Sequence, residues 1–239
     1  MRFLVTRPER PGIRTAERLA EAGHSALRDP LVTLRFFPPD RLIEDLPDAL
    51  IVTSASAVRG LKDHPDLPKI VGLPVWTVGG RTTEALREAG FRNFAAEAPD
   101  AARLASALKN TPETPQHFVH IAGIDRAADF TVLMADAGHR LDVVEIYSAD
   151  PAQAFSDEAQ GALQSGTLDA VLHYSRRTAE IFVRLVKADG LREKAFALQH
   201  FCLSDNVAKP LRVAGAEHVS SAVEPNEDAL FDLIAARAR

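Results

Sequence analysis

Asp48-Ala49-Leu50-Ile51-Val52-Thr53-Ser54 and Asp169-Ala170-Val171-Leu172-His173-Tyr174-Ser175 share one pattern: an aspartate, an apolar run without polar alternation, and a closing serine. A run of this kind is buried on both faces, as a strand is in a parallel sheet covered by helices. The closing serine stands where it caps the helix that follows.

The match extends outward from both stretches. Val75–Gly90 is repeated as His200–Gly215, and both end in Leu-Arg-x-Ala-Gly. Glu97-Ala98-Pro99-Asp100 is repeated at Glu224 to Glu227, each before a predicted helix (Ala101–Leu108 and Asp228–Ala235). Arg2–Ser25 is repeated as His117–Arg140, with Phe3-Leu4-Val5 matching Phe118-Val119-His120 and Ala22-Gly23-His24 matching Ala137-Gly138-His139. Gly23 and Gly138 stand where a helix C-terminus needs a left-handed residue. The chain thus contains itself twice. Each copy reads β-α-β followed by three β-α steps, an α/β protein with parallel sheets.

The predicted strands are Phe3–Thr6, Ser25–Leu31, Ala49–Thr53, Val75–Val78, Asn93–Ala96, Phe118–Ala122, Asp142–Tyr147, Ala170–Tyr174, Phe201–Leu203 and His218–Ala222. Thr111-Pro112-Glu113-Thr114-Pro115 marks the junction of the copies, and Asp150-Pro151 a second break. Of the 239 residues, 46% are hydrophobic and 26% charged, which suits a globular chain and argues against long disorder. The net charge is −5 and there is no basic stripe, so a nucleic-acid partner is not expected. No stretch approaches the roughly 20 apolar residues of a membrane span. The N-terminus has no signal-peptide pattern, and the expected location is cytoplasmic. The one cysteine, Cys202, lies in an apolar run and reads as a buried inert thiol.

In parallel α/β sheets ligands bind outside the C-terminal strand ends. Those ends carry Thr6-Arg7-Pro8, Thr53-Ser54-Ala55-Ser56, Val78-Gly79-Gly80-Arg81-Thr82-Thr83, Ala122-Gly123-Ile124-Asp125-Arg126, Ser175-Arg176-Arg177-Thr178 and Ser204-Asp205-Asn206. They are rich in Gly, Ser and Thr, and four carry arginine. Each is expected to open a helix, where free N–H groups and the helix dipole favour anions. Together they form a candidate anion site, in two lobes that close over a small polyanionic ligand.

Catalytic signatures are absent. There is no Walker A or G-x-S-x-G motif and no His pair at zinc-protease spacing, and Gly79-Gly80 is too short for a dinucleotide fingerprint. His24 and His139, beside the helix-stop glycines, read as structural, and His120 and His173 as satisfied core residues. Tyr147 and Tyr174, the only two tyrosines, fall at strand ends as candidate ligand-facing residues.

The ordered set Val5-Thr6-Arg7-Pro8, Ile51-Val52-Thr53-Ser54-Ala55-Ser56-Ala57-Val58, Val78-Gly79 through Thr82, Val144-Glu145-Ile146-Tyr147 and Glu224-Pro225-Asn226-Glu227-Asp228-Ala229-Leu230 resembles the uroporphyrinogen-III synthase family along the whole chain. The resemblance implies two similar three-layer α/β/α lobes formed by a swapped duplication. Lobe one would comprise residues 1–34 and 151–239, and lobe two residues 39–145, with 34–38 and 146–150 as a two-stranded connector. It implies a cytoplasmic lyase of porphyrin and haem biosynthesis, acting as a monomer that only transiently contacts the preceding pathway enzyme. The reaction is cyclisation of hydroxymethylbilane, with loss of water and inversion of the last pyrrole ring, without cofactor or metal. The family's tyrosine falls on Tyr147, which would help the hydroxyl leave. A phenol's ordinary pKa of about 10 makes that a weak acid role. Substrate contacts would come from Arg7, Thr53, Ser54, Ala55, Gly79, Arg81, Thr82, Gly123, Arg126, Ser175, Arg176, Arg177 and Ser204.

Two stretches depart from the family pattern. Ser175-Arg176 stands for the usual Ser-Pro, and Asn206-Val207 for the usual Thr-Thr. Arg176 and Arg177 would supply substitute charge. The alternatives are a non-enzymatic two-lobed sensor, which usually carries an output module for which the chain leaves no spare segment, and a transferase using a nucleotide-linked donor, which needs a diphosphate loop not found here.

Overall fold

The computed structural model describes residues 1–109, 116–126 and 128–237; the repeat junction at 111–115 lies outside them. The order is β1 (Arg2–Val5), α1 (Glu9–Glu21), β2 (Ser25–Arg28), β3 (Val32–Phe36), β4 (Ala49–Val52), α2 (Ala55–Leu61), α3 (Leu67–Ile70), β5 (Val75–Val78), α4 (Gly80–Glu88), β6 (Phe94–Ala98) and α5 (Ala101–Leu108). It continues with β7 (His117–Gly123), α6 (Thr131–Asp136), β8 (Arg140–Pro151), α7 (Asp157–Ser165), β9 (Ala170–His173), α8 (Arg176–Ala188), α9 (Arg192–Phe196), β10 (Gln199–Cys202), α10 (Asp205–Ala214), β11 (His218–Ser221) and α11 (Glu227–Arg237).

The strands form two sheets, ordered β11-β10-β9-β1-β2 and β3-β8-β7-β4-β5-β6. The pairings β1–β2, β1–β9, β9–β10 and β10–β11 are parallel, as are β4–β5, β4–β7, β5–β6 and β7–β8. β6-β5-β4-β7-β8 therefore repeats the order β11-β10-β9-β1-β2. The duplication is interleaved: the opening β-α-β joins the C-terminal strands, and its copy joins the strands before it. The chain divides into two compact units, Met1–Thr33 with Asp150–Arg239, and Leu34–Ala149.

The unit boundaries fall inside β3 and β8, not at loops. β3 begins two residues before the expected connector at 34–38. β8 runs unbroken through Asp150-Pro151, where the sequence suggested a break. Proline at the last position of a strand removes no hydrogen bond that the strand must continue.

Alternate residues of each strand feed opposite faces of the second sheet. Leu50 and Val52 of β4 pack with Ala57, Val58 and Leu61 of α2 and with Leu86 of α4. Ala49 and Ile51 pack with Leu104 and Leu108 of α5 and with Met134 of α6. This explains the unbroken apolar runs. In the first unit, Phe3 and Val5 of β1 meet Leu19 of α1 and Leu230 of α11.

The repeat holds at the level of hydrogen bonds. Gly23 and Gly138 both have φ of 79°. His24 N–H donates to Leu19 O at 2.9 Å, and His139 N–H to Met134 O at 2.8 Å. The His24 ring packs on Phe3 with centroids 5.3 Å apart, and His139 on Phe118 at 5.5 Å. Both histidines are structural.

Candidate active site

The C-terminal ends of β7, β4 and β5 lie side by side in the second unit next to Tyr147, which lies within β8, four residues before its end, and not at the strand end the sequence suggested. They bring together Tyr147, Gly123, Thr53-Ser54-Ala55 and Gly79 with Arg81 and Thr82. The β7–β8 register shifts here: Ala122 pairs with Glu145 but Gly123 with Tyr147. Ile146 is thus the extra residue of a bulge, a device that re-aims the next side chain. Ile146 and Tyr147 consequently pack against the same core, that of α2.

The Tyr147 ring crosses Gly123, and its phenol O–H donates to Ser54 Oγ at 3.0 Å. Ser54 is the N-cap of α2, and its Oγ also accepts the Ser56 N–H at 3.1 Å. The phenol is therefore oriented by a helix cap. Gly123 leaves the ring its space, and Ile124 N–H donates to Tyr147 O at 3.0 Å to hold the strand beneath it.

Thr53 Oγ1 lies 3.4 Å from His120 Nε2. Burial, aided by the Arg126 charge, lowers the His120 pKa to about 4, so its ring is neutral. Beside them, Gly79 caps α4 without a side-chain bond, with φ of 77°. The N–H groups of Ala55, Gly80 and Arg81 bond to no other group among the described residues. They stand in the first turns of α2 and α4, where unpaired N–H groups and the helix dipole favour an anion. Thr82 is buried, and its N–H donates to Gly79 O at 2.9 Å.

In the first unit β10, β9 and β1 end side by side, bringing together Ser204, Ser175 with Arg176 and Arg177, and Arg7. Tyr174 is committed there. Its hydroxyl donates to Glu227 Oε1 at 2.7 Å, and Arg7 Nη1 donates to the same oxygen at 2.6 Å. The Arg7 guanidinium lies 3.8 Å from the Tyr174 ring centroid, and Thr15 Oγ1 donates to Glu227 at 3.1 Å. Burial pushes the Tyr174 hydroxyl well above its ordinary pKa. Burial alone would raise the Glu227 carboxyl, but the Tyr174 hydrogen bond and the Arg7 charge outweigh it and hold it low. Of the two tyrosines, Tyr147 is the one whose hydroxyl, among the described residues, bonds to another hydroxyl and to no charged group.

The arginines differ from the expected pool of free positive charge. Arg7 is neutralised by Glu227, Arg126 by Glu145, and Arg176 by Glu180 at 2.8 Å. Arg177 is exposed in the first turn of α8. Arg81 is exposed and makes no ion pair among the described residues. The Gly123–Arg126 loop does not open a helix: α6 begins only at Thr131, capped by Phe130 without a side-chain bond. Ser175 caps α8 by accepting the Thr178 N–H at 3.1 Å. Ser204 stands at the N-cap of α10 without a cap bond.

Sequence reasoning missed Glu145 and Glu227, the carboxylates that absorb the arginines, because Arg7 and Glu227 are 220 residues apart. It also missed Phe36, whose ring centroid lies 6.3 Å from that of Tyr147. The double aromatic Phe36-Phe37 in a connector was the available signal. A cavity of about 470 Å³ opens along β7 and β8, from His117 and Arg140 as far as Glu145, and Tyr147 is not among its lining residues. No cluster of three metal-binding side chains occurs among the described residues. Burial pushes the Cys202 thiol up to about 12, so it is inert.

These features define a duplicated, interleaved parallel α/β protein, with hydroxyl groups and free helix N–H groups gathered at its strand ends. A family model for uroporphyrinogen-III synthase HemD matches residues 13–232. The chain belongs to that family. Its fold is similar to that of the Helicobacter pylori 26695 uroporphyrinogen-III synthetase, at 16% identity over 100% of both chains with a TM-score of 0.65. It is also similar to a mutant uroporphyrinogen III synthase from the extremely thermophilic bacterium Thermus thermophilus, at 17% identity over 100% of this chain and 98% of that one with a TM-score of 0.64. No curated protein sequence matches the chain significantly.

Proposed function

We propose that the uroporphyrinogen-III synthase reaction of this chain, a cyclising lyase of haem biosynthesis, is carried at the C-terminal edge of the second unit's sheet, with Tyr147 nearest the chemistry. The C–O bond of the bilane's terminal hydroxymethyl group breaks and its oxygen leaves as water, generating an azafulvene. The substituted carbon of the last pyrrole attacks the exposed methylene carbon to give a spiro intermediate. That intermediate reopens and recloses with the last ring inverted, and a ring proton is lost.

The observation that carries this reading is the Tyr147 phenol, held 3.0 Å from a helix-capping hydroxyl across a glycine. Turned from Ser54 to the substrate, the phenol donates a hydrogen bond to the departing oxygen. The free N–H groups of Ala55, Gly80 and Arg81, with the Arg81 side chain, hold substrate carboxylates and keep the chain curled. Holding reacting ends together is the larger part of the task. A cytoplasmic location, a monomeric working form and transient contact with the enzyme that supplies the bilane go with this reading. Among the described residues no helix is long and apolar enough to cross a membrane.

The test is to supply enzymatically generated hydroxymethylbilane and identify the isomer formed. Type III product, with no metal or nucleotide added, is expected; type I alone, at the spontaneous rate, overturns the reading.

A further inference from the structure

The groups assigned so far recognise charge and the departing oxygen. None of them recognises the pyrrole rings, which are flat and electron-rich. Tyr147 is flanked by apolar surface left open: Phe36 is 44% exposed and Ile124 50% exposed. An exposed large apolar residue is ordinary when isolated, but these two bracket one functional side chain. Phe36 ends β3 on one side of β8, and Ile124 follows β7 on the other.

Phe36 is also held in place. Phe37 N–H donates to Ile146 O at 3.0 Å, which ties the end of β3 to β8. One side of the Phe36 ring rests on α2 at Gly60. There a Cβ would lie 3.2 Å from Phe36 Cδ1 and 2.9 Å from Ile146 Cδ1, so glycine is what lets ring and helix approach. The Phe36 and Tyr147 rings have centroids 6.3 Å apart and are tilted by 43°, a contact that leaves Phe36 44% exposed and its outer face open to another aromatic ring.

We propose that Phe36 is a substrate-contacting, specificity-determining residue: its open face stacks the pyrrole that must turn over, with Ile124 bounding that ring on the far side of Tyr147. This rests on the assignment of the Tyr147 edge to the substrate. A stacked pyrrole is kept beside the azafulvene through spiro formation. An unstacked one lets the activated bilane escape and close without inversion.

The experiment compares wild type, Phe36→Ala, Phe36→Leu and Phe36→Tyr with enzymatically generated hydroxymethylbilane. It reads KM, kcat and the type III to type I ratio under conditions where wild type gives type III. Phe36→Ala is expected to raise KM about 10-fold, the scale of one lost aromatic contact, and to release type I product. Phe36→Leu should show a smaller version of both effects, and Phe36→Tyr should keep the wild-type ratio. A variant that is merely less stable loses active fraction but keeps its KM and exceeds the uncatalysed isomer background in proportion to enzyme added. Unchanged KM and ratio in Phe36→Ala, with wild type making type III, overturns the stacking role and leaves the reaction standing. Type I alone from wild type overturns the assignment beneath it.

Discussion

The ring of Tyr147 fills the space that a side chain at position 123 would need: a Cβ on Gly123 would lie 2.6 Å from Tyr147 Cζ and 2.9 Å from both Cε atoms. The atoms in conflict are at the far end of a side chain that can rotate away, so Gly123→Ala should fold and should expel the ring. We expect kcat to fall as far as in Tyr147→Ala, with a urea midpoint close to wild type. Wild-type kcat in Gly123→Ala would show that the ring position is unimportant.

Replacing Tyr147 itself separates chemistry from shape. If the phenol assists departure of the hydroxyl, Tyr147→Phe lowers kcat by on the order of 10²-fold, the usual scale of acid assistance. Ser54→Ala removes both the phenol's acceptor and a helix cap, and the lost cap should cost about 1 kcal/mol of stability. Because the two hydroxyls are 3.0 Å apart, the double variant should lose less activity than the product of the single effects. Steady-state kinetics of the four proteins measures that coupling.

Arg7 is held by a carboxylate in the first unit. It is only 13% exposed, and Glu227 is 36% exposed. Arg7→Ala should therefore destabilise the first unit by about 1.5–3 kcal/mol, the worth of a charged hydrogen bond left unmade. Urea denaturation should show this, with KM little changed. Arg81→Ala, which breaks no ion pair, should leave stability alone and raise KM.

Stability should decline on mild acidification. The pKa values of His120 and His200 are lowered to about 4 by burial, and burial with the neighbouring His200 lowers His173 well below 6.5. His173 Nε2 and His200 Nδ1 are 3.1 Å apart, and His200 Nε2 donates to Ala195 O at 3.1 Å. A neutral chain of donors follows: His200 gives its proton to Ala195, and His173 gives its proton to His200. Between pH 6.5 and about 4 the unfolded chain binds protons that the folded chain refuses, so stability is full above that window and falls as pH drops through it. Each histidine contributes a slope of about 1.4 kcal/mol per pH unit. Urea midpoints at pH 7.5, 6 and 5 should fall in sequence, and His120→Gln should flatten the trend.

Much of the fold could be read from the chain because the duplication writes each signal twice. The glycine stops at 23 and 138, and the apolar runs at 49–52 and 170–173, support each other across the copies. β3 could not be read this way: Val32-Thr33-Leu34-Arg35-Phe36 leads into Pro38-Pro39, and its counterpart in the other copy, Tyr147-Ser148-Ala149-Asp150-Pro151, does not resemble it in sequence and forms the second half of β8. The site was legible where it depends on local backbone, as at the Ser54 cap or the Gly79 turn. It was not legible where it depends on pairing between distant segments. Arg7 and Arg126 looked alike in sequence, but their partners Glu227 and Glu145 lie 220 and 19 residues away on other elements; only the Arg176–Glu180 pair, four residues apart on α8, has a spacing the sequence displays. The double aromatic Phe36-Phe37 does not by itself mark a site, because an aromatic residue at a strand end reads as packing until Tyr147, 111 residues on, is seen beside it.

The interleaved strand order also bears on how the chain is made. The six strands of the second sheet lie in one continuous stretch, Val32 to Pro151, and can pair as that stretch leaves the ribosome. β1 and β2 cannot do the same, because the neighbour of β1 on its other side is β9, which begins at Ala170. At synthesis rates of roughly 5–20 residues per second, β1 waits on the order of 10 s with an open edge. β1 is made well before β9 but finds its place only after it, and that interval is when the nascent protein most needs shielding from its neighbours.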